Sequence, residues 1–333
     1  MPKKLIELAV TRLRAGGVVA FPTETVYGLG ADARNPDAVR RVFEIKQRPA
    51  NHPLIVHLAE AAHVDQWAAE IPAAATKLMA HFWPGPLTLV LPARDDVLRE
   101  VTGGQDSVAL RAPNHPMALA LLREFGGGLA APSANRFGTT SPTEARHVPA
   151  ALGTQIDQVL DGGPCRFGVE STIVSLLDTR PRVLRPGALP LSALREVLGE
   201  DGIEFSERSD STSPSVPRVP GALRAHYAPA TPLEIHATES LSARAKTLLA
   251  RGLRIAVLRR NRSLRGNPSL PPLPEFILPA RPETYARSLY TRLRELDCFA
   301  FDCVLVEAPP DDETWWAVND RLSRAAASSN LKL

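Results

Sequence analysis

VVAFPTETVYGLGA, residues 18–31, is the stretch on which the reading of the fold turns. Val18–Phe21 is a short apolar run that stops at Pro22, the pattern of a buried strand. The following residues, Thr23-Glu24-Thr25-Val26-Tyr27-Gly28-Leu29-Gly30, set hydroxyls at 23, 25 and 27 beside two glycines. Open α/β sheets place ligands at strand ends of this kind, and glycine permits close backbone approach. The stretch is neither a GxGxxG fingerprint nor a Walker A loop, because Gly-Lys-Ser/Thr is missing. On the residues alone, a ligand loop and an ordinary polar turn stand level.

Outward from this stretch, strands and helices alternate to about residue 200. Residues 3–15 read as a helix with Leu5, Leu8, Ala9 and Leu13 on one face, ended by Gly16-Gly17. Asn35-Pro36 opens a second helix carrying Val39, Val42 and Phe43. PLIVHL at 53–58, PLTLVLPA at 86–93, SVALRAP at 107–113 and GLAAP at 128–132 read as strands, as do 157–161, 172–177 and 182–185. Helices are expected near 60–69, 72–82, 115–125 and 190–199. This order argues for an α/β or mixed α+β sheet domain over residues 1–205. Residues 206–230, rich in Ser, Thr and Pro, read as an extended linker. PLEIHA, RIAVL and CVLVEA, alternating with helices at 239–251, 282–296 and 314–327, make residues 231–333 a smaller α/β unit.

Composition narrows the class. The chain has 333 residues, which suggests two domains; 44% are hydrophobic and 23% charged, so it is not a disordered chain. Net charge is 39 − 36 = +3, from −1 over residues 1–205 (21 basic, 22 acidic) and +4 over 206–333 (18 basic, 14 acidic). No global field argues for nucleic acid. Cys165, Cys298 and Cys303 form no CxxC, so a disulfide framework and a structural zinc are not expected and a reducing compartment is. MPKKLIELAVTRLRAGG is amphipathic and unlike a secretory signal, and no apolar run approaches the roughly 18 residues of a membrane span. A cytoplasmic protein with no membrane partner is expected.

Four further pieces could carry chemistry. Lys46 and Arg48 could meet phosphates, or simply complement a helix C-terminus. Arg111 lies inside an apolar strand and needs an anion, either a ligand's or the protein's own. Ser133 and Asn135 follow an apolar strand, and Ser141-Pro-Thr-Glu144 could equally be a helix cap. Glu170-Ser171-Thr172 opens a strand and Arg185 ends one. His57 between Val56 and Leu58 is by default a core histidine, and Cys165 an inert thiol. No Ser-His-Asp order, HExxH or zinc spacing appears. Hydroxyl, Asn and Arg/Lys at strand ends suit a polyanion and a polar small molecule, and positioning plus charge stabilisation is what nucleotidyl transfer chiefly needs.

FPTETVYGLG, KQRP…PLIVH, FWPGPLTLVL, SVALRAP, APSAN, GVESTIV and VLRPGA, in this order over residues 16–190, resemble the YrdC-like threonylcarbamoyl-AMP synthase family. PGALRAHYAP and LDCFAFDCVLVEAP…AVNDRLSRAA are similar to its long, two-domain form. The resemblance implies an N-terminal twisted open sheet with helices and a smaller C-terminal Rossmann-like domain. It implies a nucleotidyltransferase joining L-threonine, bicarbonate and ATP into L-threonylcarbamoyladenylate and pyrophosphate. The adenylate supplies the tRNA threonylcarbamoyl transferase machinery downstream. It implies that Lys46, Arg48, His52, Ser107, Ser133, Asn135, Ser141, Arg185 and Tyr227 meet ATP, with Lys46 and Arg48 catalytic. Thr25, Tyr27, His57, Arg111, Ala131 and Ser171 would hold threonine, Arg111 as the fork for its carboxylate. Mg²⁺ would arrive with ATP, held by phosphates and water rather than by protein side chains alone.

The chain departs from the family pattern in places. His52 stands where Asn is commoner, STIVSL replaces STIVD, Ala222-Leu223 follow Gly221 where Met and an aromatic are usual, and Trp315-Trp316 replace small residues. His226-Tyr227-Ala228-Pro229 is an aromatic motif within a Ser/Pro-rich stretch, so residues 219–229 are expected to act as a lid. Two rivals stand beside this reading. A hydrogenase-maturation carbamoyltransferase would carry Cys-rich zinc segments, which are missing. An RNA-binding or ribosome-maturation factor would use residues 240–274, where Arg244, Lys246, Arg251, Arg254, Arg259, Arg260, Arg262 and Arg265 occur with no acid. That stretch also leaves room for a weak tRNA contact, but without interleaved aromatics it does not make a base-stacking surface.

Overall fold

A computed structural model of the chain describes residues 2–205, 216–260 and 273–328. It divides into two compact units. The first takes Met1–Phe137, Ser141–Arg166 and Glu170–Ala222, and the second takes Leu223–Leu333 with Gly138–Thr140 and Phe167–Val169. The linker residues 206–215, and Arg262 and Arg265 of the basic stretch, lie outside the described residues.

The first unit is built on strands β1 Val19–Phe21, β2 Gly28–Asp32, β3 Ile55–His57, β4 Leu87–Pro92, β5 Ser107–Arg111, β6 Leu129–Ala130, β7 Gln158–Val159, β8 Thr172–Ser175, β9 Arg182–Arg185 and β10 Glu204–Phe205. They form one mixed sheet in the order β10-β9-β8-β4-β5-β3-β6-β2-β1-β7. Its helices are α1 Pro2–Arg14, α2 Pro36–Lys46, α3 Ala73–Phe82, α4 Arg99–Thr102, α5 Pro116–Phe125, α6 His147–Leu152 and α7 Leu191–Leu198. Asn35 starts α2 by accepting from the Asp37 and Ala38 amides at 3.0 and 3.2 Å, with Pro36 at the first helical position. Gln47 in the left-handed region (φ 52°) stops it.

Two expectations need correction. The buried stripe of α1 is Ile6, Ala9, Val10 and Leu13, packed with Ala118, Leu121 and Leu122 of α5, while Leu5 and Leu8 are exposed. The stripe through Leu5, Leu8 and Ala9 would continue at Arg12, whereas 6, 9, 10, 13 keeps an apolar face of helical period. Residues 28–32, read as part of a loop, form a strand paired antiparallel to both β1 and β6. Gly30 serves packing there: a Cβ would stand 2.7 Å from the Phe21 ring.

The second unit has β11 Leu233–His236, β12 Ile255–Arg260, β13 Glu275–Leu278 and β14 Cys303–Glu307, ordered β11-β14-β12-β13 and all parallel. Helices α8 Thr238–Ala250, α9 Pro282–Asp297 and α10 Trp316–Ala327 complete a Rossmann-like α/β unit. Strand β13 was not legible in EFIL. The two short segments from earlier in the chain are integral here. Ala228 donates to the Gly138 carbonyl at 2.8 Å, and a Cβ on Gly168 would stand 2.5 Å from Arg287 Cα. Among the described residues no helix is long and apolar enough to cross a membrane.

Candidate active site

Strand alternation makes one face of the first sheet. Ser107, Ala109 and Arg111 of β5 point the same way, and β3 lies alongside with Ile55 opposite Ala109 and His57 opposite Arg111. Across β4, the Thr88 and Ser171 hydroxyls share a hydrogen bond of 2.8 Å. Arg185 donates to the carbonyl oxygens of Ser171 and Pro220, each at 2.7 Å. Val219 packs on Ile55, Val90, Ala109, Ile173 and Leu184, so residues 216–222 strap across this face.

Arg111, buried, is surrounded by three acceptor groups. Its Nη1 donates to Thr25 Oγ1 at 2.9 Å and its Nε to the Gly85 carbonyl at 3.3 Å. Its Nη2 lies 2.7 Å from Glu24 Oε1. That contact joins opposite charges without aligned N–H···O geometry: neither Glu24 oxygen nor Nη2 has a hydrogen-bond partner. Of the two readings of a buried strand arginine, the structure shows the internal ion pair. Glu24 was missed as a candidate, and the signal was its place between Thr23 and Thr25 in a loop already suspected. His57, edge-on to Phe21 with ring centroids 5.9 Å apart, is pulled down to about 3 by burial and then by Arg111. It is neutral, and its Nδ1 has no hydrogen-bond partner. The Tyr27 hydroxyl donates to the Gly163 carbonyl at 2.8 Å, and burial raises its phenol pKa. Burial likewise pushes the Cys165 thiol up to about 12, which leaves it inert.

A second corner gathers around the end of α2. Lys46 is 1% exposed, and its Nζ donates to the carbonyls of Ser133 and Asn135, both at 2.5 Å. Desolvation, then the nearby Arg48 charge, lowers its pKa well below the usual lysine value. The lysine therefore reaches the loop after β6 instead of its own helix carbonyls, against the helix-dipole reading. Arg48 donates to the Pro53 carbonyl at 2.8 Å and lies over the Phe137 ring at 5.3 Å. The His52 ring stands 5.2 Å from that of Phe137, and burial and then Arg48 lower it to about 4. Ala131 donates to the Ile55 carbonyl at 2.9 Å, anchoring the start of the 131–135 loop.

The other expected residues fall elsewhere. Ser107 opens β5 opposite Pro92. Ser141 caps no helix; α6 begins at His147, and the Ser141 hydroxyl donates to Glu170 Oε1 at 2.5 Å. The carboxylate takes the hydroxyl as a donor, whereas an N-cap would use the serine oxygen as an acceptor for backbone N–H groups. Tyr227 belongs to the second unit. Its ring stacks with Tyr290 at 5.9 Å and lies under the Arg321 guanidinium at 4.9 Å, at φ 61°.

A mixed sheet whose one face gathers buried guanidinium, hydroxyls and a carboxylate, with a lysine held by loop carbonyls alongside, defines a class of small-molecule enzyme site rather than a macromolecular docking surface. Residues 11–187 match the family described as "Telomere recombination", and residues 189–327 match "Threonylcarbamoyl-AMP synthase, C-terminal domain". The chain belongs to the threonylcarbamoyl-AMP synthase family. It is 41% identical to the threonylcarbamoyl-AMP synthase of Bacillus subtilis (strain 168), over 98% of this chain and 94% of that protein. It is 39% identical to the Pyrococcus abyssi threonylcarbamoyl-AMP synthase over 98% of this chain and 96% of the relative. The crystal structure of P. abyssi Sua5 complexed with L-threonine superposes with a TM-score of 0.89 at 38% identity, covering 98% of this chain and 95% of the other.

Proposed function

We propose that this chain is a nucleotidyltransferase, an L-threonylcarbamoyladenylate synthase acting in the cytoplasm on ATP, L-threonine and bicarbonate. The observation that carries the reading is the pair of cationic corners of different character in a full-length member of this family. Lys46 and Arg48, with Asn135, Ser133, Ser107, Ser141, Arg185 and His52, suit nucleotide and phosphate. Arg111, Thr25, Ser171, His57, Tyr27 and the Ala131 backbone suit threonine. The threonine ammonium first gives up a proton to water; bicarbonate supplies carbon dioxide by losing hydroxide, the amine nitrogen bonds to the carbon dioxide carbon, and the second N–H proton combines with that hydroxide to leave as water. The resulting carbamate oxygen attacks the α-phosphorus, the α–β phosphoanhydride bond breaks, and pyrophosphate leaves. The carbamate is already an anion, so the residues' work is to position it and to offset charge developing on the phosphates. A magnesium ion would arrive with ATP, carried mainly on substrate oxygens and water.

Residues 1–205 are the catalytic part in this reading, 206–230 the linker and 231–333 the accessory α/β part. The 216–222 strap over the site face supports a lid that excludes water from the labile adenylate. The product serves the tRNA threonylcarbamoyl transferase machinery. RNA binding as the main activity is less well supported: Arg244 is tied to Glu234 at 2.6 Å and Arg259 to Glu275 at 3.2 Å. The test is pyrophosphate release that requires ATP, L-threonine and bicarbonate together. Release with any one omitted refutes the reading. A steep salt slope in RNA filter binding would favour the alternative.

A further inference from the structure

Glu24 is a buried carboxylate whose two oxygens accept no hydrogen bond, although it faces a guanidinium 2.7 Å away. Arg111 is anchored on two sides, by Thr25 Oγ1 and the Gly85 carbonyl, while its Nη2 has no aligned acceptor. The pair therefore holds one unfilled donor position and two unfilled acceptor positions next to one another. A buried ionic group left short of hydrogen bonds is costly, and such a site persists where a ligand completes it. A lone anion cannot complete this one, because entering beside Arg111 it would meet the Glu24 charge. A lone cation meets Arg111 in the same way. A zwitterion with its ammonium and carboxylate on one carbon completes both.

Resting on the reading above, we propose that Glu24 selects the α-amino group of the amino-acid substrate. Glu24, 2.7 Å from Arg111, occupies the place a substrate carboxylate would take. An entering amino acid inserts between the two side chains, its carboxylate accepts from Arg111 Nη2, and its ammonium donates to Glu24. Glu24 thus rejects carboxylic acids that lack the amine, and holds the nitrogen until it is carboxylated. Once the nitrogen carries a carbamate, Glu24 repels it, which favours its movement away from this corner.

Calorimetric titration of L-threonine and of 3-hydroxybutanoate, which is threonine without its amine, tests the proposal. The wild-type protein binds threonine and discriminates against 3-hydroxybutanoate. Glu24→Gln binds threonine more weakly by about tenfold to a hundredfold, the worth of a charge-assisted hydrogen bond. The same variant binds 3-hydroxybutanoate at least as well as wild type, and binds ATP unchanged. A merely structural role for Glu24 would weaken all three ligands together. If Glu24→Gln does not fold, Glu24→Asp is used, which keeps the charge but draws it back by one methylene and should still erode the preference. Preference for threonine retained in the folded variant overturns the role of Glu24, as does a wild-type protein that binds both acids equally. Failure of the wild type to bind threonine at all refutes the functional reading instead.

Discussion

Lys46 and Arg111 are both cations sealed inside the first unit, and the chain accommodates them in opposite ways. Arg111 has a carboxylate of the protein's own at 2.7 Å. Lys46 has two carbonyl oxygens, and the charges acting on it include no acid, only the like charge of Arg48. Carbonyls serve a neutral amine and an ammonium alike, and burial with the Arg48 charge lowers the Lys46 pKa, so an arriving anion would strengthen its hold on the proton. Arg111 is charged at all times, and its corner is neutral overall before any ligand enters. The difference fits a polyanion at one corner and a zwitterion at the other.

The comparison is most severely tested at Arg111. Arg111→Met strands Glu24 as a buried charge and should cost about 3–5 kcal/mol of stability. Adding Glu24→Gln should recover most of it. A single variant with wild-type urea unfolding would show that the two charges do not depend on each other. Lys46→Met should act on rate instead. Pyrophosphate release should fall by about 10²–10³, the cost of losing one preorganised charge-stabilising group, while the melting temperature stays near wild type. Collapse of the fold, or an unchanged rate, would break the contrast.

His57 offers a smaller effect, read in pH. Its pKa is about 3 in the folded chain against 6.5 for an unperturbed histidine, so the unfolded chain takes up the proton first as pH falls. Its contribution is complete above pH 6.5 and is lost progressively between there and about 3. The loss amounts to roughly 1.4 kcal/mol per pH unit. His57→Gln should flatten that part of the stability curve, and an unchanged acid slope would mean the ring is not held neutral. The smallest signal is calorimetric. ATP should raise the depressed Lys46 pKa, so binding takes up as much as about one proton and weakens as pH rises past the ligand-free value. Heats identical in buffers of different ionisation enthalpy would show that Lys46 is already charged.

Much of this was legible from residue order alone. Apolar runs closed by proline or glycine marked β1, β3, β4 and β5, and the Asn35-Pro36 start of α2 was plain. Strand β2 was not, because two glycines in five residues read as a loop until the Phe21 ring supplies the reason for Gly30. The register of α1 was misread because two apolar stripes overlap at Ala9, and the one through Leu5 and Leu8 fails as a helical face only where it reaches Arg12. At the site, residue types pointed to each cation but could not name its partner. Glu24 lies 87 positions from Arg111, and the sheet order β5-β3-β6-β2-β1 brings the two together. The same holds for Ser141 and Glu170, where a local capping pattern hid a non-local acceptor.

The interleaving of the two units bears on how the protein is made. Residues 138–140 and 167–169 leave the ribosome ahead of Leu223, yet they belong to the unit that begins there. At about 5–20 residues per second, the three-residue segment 138–140 waits on the order of ten seconds for partners such as Ala228 and the α9 helix to be synthesised. The first of these segments immediately precedes Ser141, and the second lies just before Glu170-Ser171. A nascent chain can close most of the first sheet as it emerges, but these two stretches wait for nearly the whole message to be read. The segments beside Ser141 and Glu170 thus reach their final packing only once the C-terminal unit has been translated.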